Sequence, residues 1–422
     1  MKLLISKALL IDPTSIHHNT TKDILIIDGI IKGIDNNIDA ADAQVIEGNV
    51  VSPGFIDVFS HFCDPGFEHR ETLESGANAA AAGGYTTVFA LPDAKPITDT
   101  KSQVEYINAR QRDLAVTILP LGAVSNNQEG KQLAEMYDMH NSGAIAFTDG
   151  LKPIQSAGLM LKALQYVKTI NGVLITLPVD KTIAPHALMH EGIISTQLGL
   201  PGMPHIAEEI FIKRDIDLLE YTESKLHITG ISSAKSVELI AAAKARGLQI
   251  SCSVTPYHLL FCDEDLQDYD TNLKVNPPLR TRDDMEALRQ GVLNGTVDCI
   301  ASHHLPQHLD NKDCEFEYAK NGMTSLETAF SMVCMALPQL TYNKIVELFS
   351  TNAATIFGLQ QQQISIGATA CLTIFNPTQK WIYTKEIVKS KSFNSPLINK
   401  NLTGGITGIV NKAQVIVNNK TN

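Results

Sequence analysis

The chain lacks the patterns by which cysteines are usually put to work. Seven cysteines stand singly at 63, 252, 262, 299, 314, 334 and 371, an odd number with no Cys-x-x-Cys pair. That excludes a thiolate zinc cage and a disulfide framework, and reduced thiols are expected. Long apolar runs are missing too. Hydrophobic residues make up 44% of the sequence, yet no run approaches the roughly 18 residues that a membrane helix needs. The opening Met1-Lys-Leu-Leu-Ile-Ser-Lys-Ala-Leu-Leu has no small-residue cleavage site, so the expected location is the cytoplasm. Positive charge is scarce, with 34 Lys and Arg against 45 Asp and Glu and a net charge of −11. Nucleic acids and anionic membranes reward basic patches, so neither is expected as a partner.

What is present is alternation. At 422 residues the chain suits a large barrel with a smaller appended unit. Residues 1–50 carry short alternating stretches such as Ile24-Leu-Ile-Ile-Asp-Gly with turn residues between them, and residues 360–422 have the same texture in Ala370-Cys-Leu-Thr-Ile-Phe and Gln414-Val-Ile-Val. The two ends are expected to form one small β-sandwich-like domain. In residues 51–359, apolar β-rich runs alternate with helical patterns. The runs are Gly54–Phe59, Tyr85–Leu91, Val116–Leu121, Gly143–Phe147, Val173–Leu177, Lys225–Thr229, Leu248–Val254 and Val297–Ser302. Eight such units predict an α/β fold of the (β/α)8 TIM barrel type. A helix over Thr72–Ala82 fits this rhythm, with Gly83-Gly84 as its stop.

At the end of the first expected strand the sequence reads Asp57-Val-Phe-Ser-His61. Two imidazoles at alternate strand positions point the same way and can grip one metal ion, whereas Phe59 has no lone pair to give. The surrounding segment Val51-Ser-Pro-Gly-Phe-Ile-Asp, together with Ala82-Gly-Gly-Tyr-Thr-Thr-Val, Leu91-Pro-Asp-Ala-Lys-Pro-Ile-Thr-Asp, Lys274-Val-Asn-Pro-Pro-Leu-Arg and Ser325-Leu-Glu-Thr-Ala, resembles the bacterial type I dihydroorotases of the amidohydrolase superfamily. The likeness runs nearly end to end. It implies the amidohydrolase barrel with its small terminal β domain, and an activity that reversibly closes carbamoyl-aspartate to dihydroorotate in pyrimidine synthesis.

Carried over residue by residue, the resemblance implies a dismantled site. His61 and Asp149 stand at metal-ligand positions, while Phe59, Leu177 and Gly230 replace imidazoles there. His303 replaces the aspartate that would be ligand and proton acceptor, although it could coordinate. On the substrate side Asn276 is retained, whereas Cys63, Asp93 and Gln307 replace an arginine, an asparagine and a histidine. Losing the arginine forfeits a bidentate contact worth roughly 1.5–3 kcal/mol. Such a remnant is marginal for one zinc or other divalent metal, and no cofactor is expected.

Several bland readings stand beside the sharp ones. His304 reads as a structural histidine, since neighbours on a strand point oppositely. Pro306 argues against a metal-binding pair of His304 and His308. Cys63 reads as a buried thiol ahead of a nucleophile activated by His61. The retained Asn276-Pro-Pro-Leu-Arg280 serves a rigid loop as well as it serves a ligand. The expectation is therefore an inactive or strongly impaired dihydroorotase-like chain, a pseudoenzyme. By resemblance it pairs as a homodimer and acts as a structural partner of aspartate transcarbamoylase. The alternative is a mononuclear metal-dependent cyclic amidase using His61, Asp149 and His303, with Cys63 or Asp93 as further candidates.

Overall fold

A computed structural model of the chain describes residues 1–418. Eight parallel strands lie side by side in chain order, Phe55–Ser60, Tyr85–Ala90, Thr117–Gly122, Ala146–Phe147, Leu174–Thr176, Leu226–Thr229, Ile250–Val254 and Cys299–Ile300. Each falls within or beside one of the eight expected runs. The first is buried at every position, as an apolar strand covered on both faces must be. Helices between the strands form the outer layer. Leu73–Ala82 begins at Thr72, whose hydroxyl accepts from the Ser75 N–H at 3.1 Å, and ends at Gly83. Gly84 follows at φ +88°, where a Cβ would come within 2.8 Å of Ile406 Cδ1. A side chain there would wedge the barrel away from the smaller sheet.

The seam between the first and eighth strands is held by a side chain rather than by a regular ladder. Asp57 Oδ1 accepts from the Ser302 backbone N–H at 2.6 Å, and Oδ2 accepts from the Ser302 hydroxyl at 2.8 Å and from the Ser60 hydroxyl. Farther along, the His61 N–H donates to the His304 carbonyl at 2.8 Å. These bonds bring the eighth strand's exit, with His303 and His304, against the strand that carries Phe59 and His61.

The smaller sheet joins both ends of the chain. Lys2–Leu10, Thr20–Ile27, Ile30–Asp35, Gln44–Glu47 and Val50–Pro53 meet Leu372–Tyr383, Lys400–Asn411 and Gln414–Val417. Val50–Pro53 is the hinge piece, pairing parallel with Lys2–Leu10 and antiparallel with Leu372–Tyr383. The chain enters the barrel directly after it. Leu3, Ile5, Ile24, Ile26, Val51, Leu372 and Ile374 form this sheet's own apolar core. Of the expected 360–422 segment, residues 419–422 lie outside the described residues. No helix among the described residues is long and apolar enough to cross a membrane.

Candidate active site

Four of the positions where the resemblance expects metal ligands, Phe59, Leu177, Gly230 and His303, come together at the barrel mouth as a packed plug. Phe59, fully buried, stacks on the His303 imidazole with ring centroids 4.4 Å apart and planes inclined by 30°. The same imidazole abuts Gly230, where a Cβ would meet His303 Cε1 at 2.6 Å and Leu177 Cδ1 at 3.2 Å. His303 therefore occupies the room that a larger residue at 230 would need. Its Nε2 shares a 2.7 Å hydrogen bond with the Thr229 hydroxyl. Burial holds the imidazole neutral, with its pKa lowered to about 3. The cavity left among Phe59, Leu151, Asn276 and His303 measures about 10 Å³. That is room for about one water molecule.

The retained ligand types are engaged elsewhere. His61 is buried, its Nδ1 accepts from the Cys63 N–H at 2.9 Å, and burial lowers its pKa to about 3. Asp149 turns toward the exit of the third strand. Its Oδ1 accepts from the backbone N–H groups of Val124 and Ser125, both at 2.9 Å, and its Oδ2 from the Ser125 hydroxyl at 2.5 Å. His227 is held between the Ser251 and Ser253 hydroxyls at 2.9 and 3.0 Å. A metal cage needs three donors converging on one point. Among the described residues, His61, Asp149 and His303 form no such group. The grouping proposed from sequence for a single metal is not brought together here: both Asp149 oxygens face Val124 and Ser125 and His303 Nε2 faces Thr229, while His61 is bonded through Nδ1 alone.

Cys63 is buried, and burial pushes its thiol up to about 12. A thiol so far from ionising is a poor nucleophile. His304 is a structural histidine. Its Nε2 lies 3.4 Å from Glu71 Oε2, while its Nδ1 accepts from the Ser325 N–H at 3.2 Å. His308 is surface-exposed and faces Asp310 at 3.1 Å.

Above the plug the mouth remains open. A cavity of about 380 Å³ is lined by His61, Asp93, Asn276 and Gln307, joined by Arg70, Lys152 and Lys320. Three of the four expected substrate positions thus share one space, and Cys63 does not line it. Asp93 Oδ1 accepts from the Leu151 N–H at 3.3 Å, and burial raises its carboxyl to about 6. The Gln307 amide donates to the Asn321 carbonyl at 2.7 Å.

One group was not foreseen from sequence. His190, His205 and Asp284 bring one donor atom each to within 4.8 Å of the others. His205 Nε2 lies 3.0 Å from Asp284 Oδ2, which raises the pKa of the imidazole. The arrangement is poor for a cation. Arg280 Nη1 donates to His190 Nδ1 at 3.2 Å, and Asp284 Oδ2 also accepts from the Thr281 hydroxyl at 2.6 Å. Only folding brings these residues together, and nothing in their spacing announces it. Arg280 also gives the retained Asn276–Arg280 segment a structural purpose, since its Nε donates to Ser232 at 3.0 Å and Glu208 stands 3.7 Å away.

Comparison with known proteins agrees with the architecture. The family described as dihydro-orotase-like matches residues 48–236. A dihydroorotase from Caldanaerobacter subterraneus is 42% identical over 98% of this chain and 97% of its own length. One from Thermoanaerobacter sp. is 40% identical over 96% of this chain and 94% of its own. Among solved structures, the L-hydantoinase (dihydropyrimidinase) from Arthrobacter aurescens superposes with a TM-score of 0.85 at 23% identity, covering 99% of this chain and 96% of that one. Dihydropyrimidinase from Brevibacillus agri gives 0.84 at 20% identity, covering 100% of this chain and 96% of that one. The barrel with its terminal sheet is the fold these structures share, and the end-to-end identity to the dihydroorotases places the chain in the dihydroorotase family of the amidohydrolase superfamily.

Proposed function

We propose that this chain is a catalytically inactive or strongly impaired dihydroorotase-like protein that serves pyrimidine synthesis as a structural partner of aspartate transcarbamoylase. The observation that carries the reading is the plug. The Phe59 ring lies on His303, and His303 fills the space over Gly230, so the metal positions are packed as core. A hydrolase of this type needs a metal to activate water and polarise the amide carbonyl. The donors present do not converge on one point, so no metal is expected there. The family framework around the plug is intact, which suits a chain kept for its shape. Homodimers of the chain would present that shape twice.

A second reading keeps one observation in its favour: relatives at 42% and 40% identity carry the name dihydroorotase over nearly the whole chain. Under it the chain is a mononuclear cyclic amidase whose plug opens to admit a metal.

The two readings diverge in a reconstitution. The purified chain is mixed with aspartate transcarbamoylase from the same cell, and complex mass, transcarbamoylase activity and dihydroorotate hydrolysis are followed with and without a chelator. The scaffold reading expects a complex that survives chelation and His61→Ala, with no hydrolysis. Chelator-sensitive hydrolysis without a complex would establish the amidase instead.

A further inference from the structure

The smaller sheet makes one connection far longer than its geometry needs. Tyr383 pairs with Lys400 across the antiparallel strands Leu372–Tyr383 and Lys400–Asn411, so a tight turn could join them. Residues 384–399 instead reach across to the barrel without forming a helix or strand. Long connections of this kind are uncommon in compact proteins, and many are binding loops. This one is fixed in place. The Ser392 hydroxyl donates to the Arg70 carbonyl at 2.7 Å, and Asn394 Nδ2 donates to the Leu305 and Gly322 carbonyls at 3.0 and 3.1 Å. The Gln307 N–H donates in turn to Asn394 Oδ1 at 3.0 Å.

Between this loop and residues 307–313 lies a cavity of about 780 Å³, separate from the barrel mouth. Of the expected substrate positions only Gln307 lines it, and that side-chain amide donates to the Asn321 carbonyl. Lys312, Lys385 and Lys391 stand in its wall against one carboxylate, Asp313. Lys312 is only 6% exposed, and its Nζ donates to the Thr271 carbonyl at 2.7 Å. Burial, with Lys274 close by, lowers its pKa to about 7, so an anion beside it would favour the charged form. Lys391 Nζ likewise donates to a carbonyl, that of Glu68, at 2.7 Å. Cations gathered in a concave wall focus their field on whatever enters. The same wall carries apolar surface, because Phe393 is 46% and Leu309 67% exposed there, and Lys385 Nζ lies 5.9 Å from the Phe393 ring centroid. A bare phosphate would leave that surface wet, whereas a ring laid on Phe393 would cover it.

We propose that this cavity binds a phosphate monoester carrying a flat aromatic ring, with the phosphate among Lys312, Lys385 and Lys391 and the ring against Phe393. Lysines serve a phosphate as point charges, and the cavity has the size of a small-molecule site. The inference stands whether or not the barrel turns anything over, because the cavity lies outside both the plug and the mouth. Lys385, Lys391 and Phe393 come from the loop of the smaller sheet, and Lys312 comes from the barrel. A ligand bridging them would clasp the two parts of the molecule together.

Titration calorimetry on the full chain at constant ionic strength tests this with AMP and CMP as probes. Adenosine and cytidine supply the ring without the phosphate, and ribose 5-phosphate supplies the phosphate without the ring. The expected result is saturable one-to-one binding of at least one nucleotide, about tenfold or more tighter than either of its fragments, a difference of about 1.4 kcal/mol. The double variant Lys385→Gln, Lys391→Gln should bind that nucleotide about tenfold or more weakly. Phe393→Ala should bring it down to the affinity of ribose 5-phosphate. All three side chains are exposed, so both variants should melt as the parent does. Absence of saturable nucleotide binding, a nucleotide no tighter than ribose 5-phosphate, or parental affinity in the double variant overturns the proposal.

Discussion

Two layers of the same barrel mouth have gone different ways. In the lower layer, His303 stacks on Phe59 and, with Leu177, crowds Gly230, and the cavity beside Phe59 and His303 measures about 10 Å³. In the upper layer, Asp93, Asn276 and Gln307 still face a cavity of about 380 Å³, now with three cations in its wall. The lower layer is packed as protein core and the upper one lines open space. A packed floor and an open mouth coexist in one barrel because side-chain packing sets the floor whereas loop shape sets the mouth.

The comparison breaks most forcefully at Phe59. If the floor is core, Phe59→Ala should cost about 3–5 kcal/mol, as removal of a buried aromatic ring does, and chemical denaturation will read it. A floor that still served a metal would lose little stability with that ring. Next comes Gly230→His, which restores the imidazole expected of the family. The backbone there has φ +68° and the added Cβ would lie 2.6 Å from His303. Strain and overpacking together should destabilise by about 2–4 kcal/mol with no gain in metal binding.

The dependence on pH sharpens the same contrast. His303 has a folded pKa lowered to about 3 against 6.5 for an ordinary histidine. Below pH 6.5 the unfolded chain takes up a proton that the folded chain refuses. The stability this group contributes is therefore present above pH 6.5 and is lost progressively as pH falls toward 3. Its share is up to about 1.4 kcal/mol per pH unit. Comparing the pH slope of the parent with that of His303→Gln between pH 6.5 and 5 isolates it, and equal slopes would contradict a buried neutral ring. The smallest effect is expected in the upper layer. Lys152→Gln with Lys320→Gln should shift stability by less than about 0.5 kcal/mol, because both side chains are exposed.

Much of the framework was legible. The eight apolar runs each produced a barrel strand, and Gly83 ends the helix that the alanines support. The Asp57 seam was not legible, since it joins residues 245 apart through a side chain. The chemical vacancy at Phe59, Leu177 and Gly230 could be read from residue type alone, because none of them offers a donor. What filled it could not. His303 looked like a residual ligand in sequence, and only its contact with Phe59, its bond to Thr229 and its position over Gly230 make it part of the packing. Asp149 likewise kept the expected residue type while its oxygens turned to Val124 and Ser125. Residue identity records what could coordinate, and packing decides what is free to do so.

Whether the floor holds a reactive metal decides between the two readings. The most direct test measures metal content by plasma mass spectrometry and dihydroorotate hydrolysis on one sample of the full chain, purified without chelators. A packed floor should give metal far below one per chain and no turnover. A stoichiometric transition metal accompanied by hydrolysis would contradict it.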